Sequence, residues 1–463
     1  MRRIERRVTG IVIGLLLLPC AALAAVSGTS TVVLPPGQGK LVPPAPVAGD
    51  RFGSAVSVSS DTVVIGGIGV WVFRAGITGN LAFEQRLVAP GQTSDFGTSL
   101  DIDGDLVVVG DLGDSDLNAN ATARVFRRSG STWSLEATLP PGGIPPYNGY
   151  GSSVAISGGT VVAAAPWTGT NHGLVYVFSN ESGSWQQVAV LSSANPQPND
   201  LFGADVDIDG NTLVVGAPGT RAGAWIFQRN LTPTFQLAFT FSEDGAVAPG
   251  PQPGGQNLTG FGRSVAIDGS TILVGRPLDA LMGSNAGAIS VFERPGVGLP
   301  WSFAADNVAS DGAPGEFFGA ELAISGDRAL VGAPYDQAVG SVYVLRRNLL
   351  GSWEQETKLV PGSGDANDLF GISVALDGPR MAFGAPQNSD AGSWAGTTYT
   401  LVAPPVFPLA TDAFCFGDGG DGLGCTNCPC SNDASAGTVG GCLNSSGLSA
   451  RLASMGSASV SND

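Results

Sequence analysis

The chain holds one histidine, His172, and its charged residues make up only 13% of 463 positions. A single His closes most routes to imidazole chemistry. No Ser-His-Asp set can be assembled without His172, which stands in a Gly/Asn/Thr loop between Asn171 and Gly173, a turn setting rather than a catalytic one. Carboxylate pairs give no sharper lead, because 39 acidic residues produce many chance pairings. Basic residues are also scarce: 22 Lys and Arg against 39 Asp and Glu give a formal net charge of −17, with no basic patch. Such a surface repels phosphate backbones, so nucleic acid is excluded as a partner. No apolar run is long enough to cross a membrane.

The N-terminus itself is distinctive. Arg2, Arg3, Arg6 and Arg7 precede the apolar run from Ile11 to Leu18, and Ala22-Leu23-Ala24 follows as a small-x-small cleavage site. Residues 1–24 therefore read as a secretory signal peptide, too short in its apolar part for a membrane anchor. Pro19 stands where a lipobox before Cys20 needs a small residue, and Arg6-Arg7 is a poor twin-arginine match. Loss of the segment removes four Arg and one Glu, taking the net charge to about −20. The expectation is a secreted or cell-surface monomer with no transmembrane segment.

What the chain has in abundance is glycine, 68 residues, with 31 Pro and a 43% hydrophobic fraction. That balance suits many short strands and turns. The stretch Leu201-Phe-Gly-Ala-Asp-Val-Asp-Ile-Asp-Gly-Asn-Thr-Leu-Val-Val-Gly-Ala-Pro218 is a unit that recurs. Its counterparts begin at Phe52-Gly53, Phe96-Gly97, Tyr150-Gly151, Phe261-Gly262, Phe318-Gly319 and Phe370-Gly371. Seven copies spaced by roughly 44 to 59 residues mark a propeller or repeat array.

Each copy reads as four strands. In the first, positions four and six after the aromatic are branched and apolar (Val56 and Val58, Val206 and Ile208, Leu322 and Ile324), while Ser57, Ala155, Asp207 and Ala323 lie between. The second is apolar throughout, as in Val63-Val-Ile65 and Leu213-Val-Val215, which is the pattern of a strand covered on both faces. The third is of the Val70-Trp-Val-Phe73 type. The fourth begins with an aromatic: Phe83, Trp133, Trp185, Phe235, Trp301 or Trp353. Asp103-Gly104, Asp209-Gly210, Asp268-Gly269 and Asp377-Gly378 supply tight turns between strands one and two. The seventh copy lacks a fourth strand after Leu401. Lys40-Leu-Val-Pro43 ahead of the first copy repeats Lys358-Leu-Val-Pro361 ahead of the last, which predicts that the N-terminus supplies the missing strand and pairs near Tyr399. Pro35 occupies the place of the usual aromatic, so this strand should be short.

The Phe-Gly openings and the Gly216-Ala-Pro218, Gly332-Ala-Pro334 and Gly384-Ala-Pro386 endings resemble FG-GAP repeats, those of integrin α-subunits and many secreted bacterial proteins. The resemblance spans residues 31–404 and implies an all-β fold: a seven-bladed β-propeller of four-stranded antiparallel blades. It also raises calcium as a cofactor, since integrin-type repeats often hold Ca2+ in an Asp-x-Asp-x-Asp-Gly loop. Here Asp207-Ile-Asp209-Gly210 runs at once into Thr212-Leu-Val, and a two-residue hairpin cannot wrap a cation, so that role is not carried over. A second acidic loop, Asp111, Asp114 and Asp116, has carboxylates but no bidentate Glu partner; a metal there competes with a solvated loop.

Residues 411–463 differ in character. Cys415, Cys425, Cys428, Cys430 and Cys442 crowd a Gly/Asp/Ser segment that resembles a small Cys-rich module placed C-terminally in large secreted bacterial proteins. Cys425-x-x-Cys428 has zinc spacing, but no His is near, and in an exported chain disulfides are favoured. Five cysteines leave one over, and the segment reads as incomplete at Asp463.

Two tryptophans stand outside the repeat pattern. Trp167 and Trp394 follow the second strand in their copies, where exposed rings stack on sugars or anchor proteins. Connections two-to-three and four-to-one share one face of such a disc and are the longer ones, so that face is expected to carry recognition. The function expected is non-enzymatic: a binding or adhesion scaffold for an extracellular protein or polysaccharide. A lectin-like propeller is the alternative, and a polysaccharide hydrolase or lyase comes third. A convergent catalytic set near the central axis is not evident in the sequence.

Overall fold

The computed structural model describes residues 30–34, 39–76, 79–113, 121–142, 148–220, 222–229, 235–242, 247–249, 259–296, 298–362 and 364–402. The signal segment, Asp114, Asp116 and every cysteine lie outside these. Seven blades of antiparallel strands follow one another along the chain, and in the first six the four strands run from innermost to outermost in sequence order. Blade four shows the four strands, Asp205–Asp209, Thr212–Ala217, Gly223–Arg229 and Phe235–Phe241, and adds a short fifth, Val247–Pro249, at its outer edge. Its innermost hairpin pairs Asp205 with Gly216 and closes at Asp209 opposite Thr212.

The core is not central but divided among the seven gaps between blades. Strand two explains how. In Thr62–Gly67 of blade one, Val63 and Ile65 pack toward blade seven, and Val64 packs toward blade two. Both faces are therefore dry, which is why this strand shows no polar alternation. The aromatic that opens each repeat is wholly buried, and its ring meets third-strand aromatics edge-on, as Phe202 does with Trp225 at 5.7 Å and Phe227 at 6.0 Å. Burial of one such ring contributes roughly 2–3 kcal/mol. Strands three and four carry a register shift in blades one to six, for example between Ile226 and Phe227. Bulges of this kind add the twist that lets neighbouring blades splay.

The two glycines of the repeat have a common cause. A Cβ on Gly216 would lie 2.2 Å from the carbonyl oxygen of Gly262, the glycine that opens the next repeat. The same abutment joins Gly110 to Gly151 and Gly332 to Gly371, so the backbones of successive blades touch where a side chain would separate them. Blade three has Ala164 instead, and there Gly203 of blade four takes up the contact.

The ring closes as the Lys-Leu-Val-Pro repetition predicts. Lys40–Leu41 forms the outermost strand of blade seven, with Lys40 opposite Tyr399 and Leu41 opposite Thr398. It is two residues long, and Lys40 also ion-pairs with Asp390. One feature was not expected: Ser30–Leu34 pairs in parallel with the outer strand of blade six, Trp353–Pro361. The N-terminal segment thus clamps two blades. Among the described residues no helix is long and apolar enough to cross a membrane.

Candidate functional site

The turn face is held by a closed circle of hydrogen bonds. Ser59, Asp103, Ser157, Asp209, Asp268, Ser325 and Asp377 end the seven innermost strands, and each accepts an N–H from the next blade's turn. The donors are Gly104, Gly158, Gly210, Gly269, Gly326, Gly378 and, closing the circle, Ser60. The Asp of each Asp-Gly turn is therefore a clip to its neighbour as well as a turn former. Among the described residues no group of acidic, His or Cys side chains is arranged to hold a metal ion.

The central channel encloses about 450 Å³ and gathers charges that the sequence reading did not bring together: Asp101, Asp205, Asp207, Glu321 and Arg263. The four carboxylates occupy innermost-strand positions where other blades carry Ser or Ala, and that departure was the only signal available for them. Asp101 accepts from Ser57 Oγ of blade one and from the Ile156 amide of blade three, both at 2.8 Å. Asp205 accepts from Ser153 Oγ at 2.9 Å and from the Val265 amide at 2.8 Å. Asp207 accepts from the amides of Ile208 and Ile267. Burial pushes the carboxyls of Asp101 and Asp205 up to about 6. Burial, with the neighbouring Asp101 charge, pushes Asp207 up to about 8. Glu321 is raised by burial and then by Asp205. Three of these carboxyls are thus occupied as staples between blades.

The other anticipated residues fall as follows. Asp111 is fully buried and ion-paired to Arg124, with further hydrogen bonds from Thr93 and the Gly113 amide. Its oxygens are taken by protein donors, and Asp114 and Asp116 lie outside the described residues. His172 caps a short helical turn, Thr168–Asn171, and its ring lies over Gly169. The fourth-strand aromatics are packing residues: Trp133, Phe235, Trp301 and Trp353 are buried. The indoles of Trp133, Trp185 and Trp353 each donate to a carboxylate of the preceding blade, Glu84, Glu136 and Glu293. Phe83 is an exception and is exposed.

Trp167 and Trp394 both lie exposed on the loop face, at 44% and 52%. Their surroundings differ. Trp167 leans on Gly149, whose Cβ would fall 2.4 Å from the indole. Trp394 lines an open cleft of about 360 Å³ between blades six and seven, together with Tyr335, Asp365, Asn367, Gln387 and Ser389. Tyr335 was missed although it follows Ala333-Pro334 as Trp167 follows Ala165-Pro166, and that shared Ala-Pro-aromatic position was the signal that could have found it. Its ring rests on Phe317 at 5.1 Å. The loop face is not uniformly long-looped, since Gly67 and Gly69 of blade one flank the single residue Ile68. Nor is the turn face wholly polar. Leu349 and Leu350, in the turn before the outer strand of blade six, are 88% and 92% exposed.

No curated protein matches the chain in sequence. A chain of the solved structure described as "Crystal Structure of Mitotic Checkpoint Complex" aligns with a TM-score of 0.51 over 86% of this chain and 99% of that one. At 11% identity that likeness shows the propeller fold alone. A family model described as "FG-GAP repeat" matches residues 37–70, 133–178, 185–225, 254–292, 301–345 and 353–401, more than half of the chain. With the Phe-Gly and Gly-Ala-Pro glycines shown to be the contact between blades, the chain belongs to the FG-GAP repeat family.

Proposed function

We propose that this FG-GAP propeller is an exported, non-catalytic binding scaffold that engages an extracellular macromolecule through its loop face. The observation that carries this reading is the contrast between the faces. The turn face repeats one hydrogen-bonded clip seven times, whereas the loop face differs from blade to blade and exposes Trp167, Tyr335 and Trp394. Individual loops on a rigid, repeated frame are the usual arrangement of recognition surfaces. The channel carboxyls support the non-catalytic side, because Asp101, Asp205 and Asp207 accept backbone amides rather than facing outward unengaged.

The test is binding of the labelled full chain to immobilised extracellular proteins and polysaccharides. The double variant Trp167→Ala/Trp394→Ala should lose whatever binding is found. The turn-face variant Asp103→Ala/Asp209→Ala should keep it. Binding lost only in the second variant would overturn the assignment of the face. New reducing ends released from a bound polysaccharide would overturn the non-catalytic reading.

A further inference from the structure

The cleft between blades six and seven combines two features found together nowhere else among the described loop-face residues. The first is a pair of exposed aromatic rings. Tyr335 is 49% and Trp394 is 52% exposed, and both line the same cleft. The second is unused polar capacity. Among the described residues, the Tyr335 hydroxyl, the Asp365 carboxylate and the Asn367 and Gln387 amides make no side-chain hydrogen bond or ion pair within the protein. Deeper in the cleft, Asp368 accepts from Asn388 at 2.7 Å and from the Asp365 amide at 3.0 Å. The volume of about 360 Å³ falls at the small end of ligand sites, roughly 300–1,000 Å³.

The backbone of Trp394 adds a third observation. Its φ is +54°, the left-handed region. The corresponding position two residues before a glycine is Asn171 in blade three, Asn285 in blade five and Ala338 in blade six, with φ of +63°, +56° and +65°. Asn adopts this conformation more readily than Trp, so Trp394 carries more backbone strain than the Asn found in blades three and five. Strain retained against an available alternative points to a role for the side chain. The strained turn is also fixed in place. Trp394 receives the Arg51 amide on its carbonyl at 3.1 Å and donates its own amide to Ser389 Oγ at 3.2 Å.

Resting on the scaffold reading above, we infer that this cleft is a subsite for one or two sugar rings of a neutral polysaccharide, stacked against Trp394 and Tyr335. A pyranose ring has an apolar C–H face bordered by hydroxyls, and the cleft offers aromatic faces bordered by amides, a phenol and a carboxylate. Strand addition of a peptide would need an open ladder, and residues 365–369 form no strand and turn at Ala366-Asn367. Uronic or sulfated glycans are disfavoured by Asp365 and Asp368.

The test uses the full chain against immobilised neutral glycans (β-glucan, chitin, xylan and mannan oligosaccharides) and against polygalacturonate and heparan sulfate. The expected result is retention on at least one neutral class. Trp394→Ala and Tyr335→Ala should each weaken it about tenfold or more, Trp394→Phe should keep most of it, and Trp167→Ala should leave it unchanged. No neutral glycan bound at millimolar concentration, a preference for the acidic glycans, or affinity indifferent to Trp394→Ala would each overturn the inference. If proteins are bound through the loop face but glycans are not, the sugar subsite falls and the scaffold stands. If binding is lost only in Asp103→Ala/Asp209→Ala, both fall.

Discussion

The hub of the disc and the cleft between blades six and seven are built on the same repeat by opposite rules. At the hub, six of the seven blade contacts share the same Gly–Gly abutment, all seven share the turn-face clip, and polar groups are occupied across the gap. In the cleft, polar side chains keep their capacity, two aromatic rings stay exposed, and a Trp sits where blades three and five place Asn. Substitution at the hub should therefore cost stability, and substitution in the cleft should cost binding. A variant that reversed either outcome would break the comparison.

The largest effect is expected where blades touch. Gly216→Val places a Cβ 2.2 Å from the Gly262 carbonyl, with no flexible side chain to give way. Urea unfolding should show a loss of about 3 kcal/mol or more, if the variant folds at all. A loss below about 1 kcal/mol would mean that the blades can part at this contact without cost.

Next is ring closure. Deleting residues up to Pro43 removes the Lys40–Leu41 strand and its ion pair to Asp390, and it also uncovers the blade-six edge that Ser30–Leu34 now occupies. Two exposed edges should bring concentration-dependent aggregation and a lower melting temperature. A truncated chain that stays monomeric and melts unchanged would show that the N-terminal clamp is dispensable.

A smaller effect concerns the channel. The folded-state carboxyls of Asp101, Asp205 and Asp207 are raised, so the folded protein binds more protons than the unfolded chain between about pH 4 and pH 8. That stabilisation is complete below the unfolded value and is lost as pH rises through about 6 for Asp101 and Asp205 and about 8 for Asp207. The open channel admits water and reduces the effect, leaving the wild type more stable at pH 5.5 than at pH 8.5 by on the order of 1 kcal/mol. Asp207→Asn should flatten the upper part of this profile. A stability that rises with pH over this range would contradict the assignment.

Much of the hub was legible in the sequence because it repeats. Alternation in the innermost strand, the uninterrupted apolar second strand and the matched Lys-Leu-Val-Pro tetrapeptides each state a local requirement that every blade must meet. The cleft was legible only in part. Trp394 stood out as an aromatic beyond the pattern, but Trp167 stood out equally, and only the fold separates them. Around Trp167 the neighbouring polar groups satisfy one another: Asn171 donates to Asn199 at 3.0 Å, and Thr168 donates to the Ala165 carbonyl at 2.8 Å. Tyr335 lies 59 residues before Trp394 in sequence and joins it only through the packing of two blades. The axial carboxyls were hidden for a related reason. Asp101, Asp205 and Asp207 each look like an ordinary polar residue of an alternating strand until the closed ring brings them to one channel.

The most direct measurement is a pair of readings on Trp394→Asn, melting temperature and glycan affinity. Asn returns the position to the residue that holds it in blades three and five and removes a left-handed Trp. The variant should melt at or slightly above the wild type, by up to about 1 kcal/mol of added stability, and should lose binding to the neutral glycan. A variant that melts well below the wild type, or one that binds as before, would contradict the claim that this Trp is kept for recognition at the expense of stability.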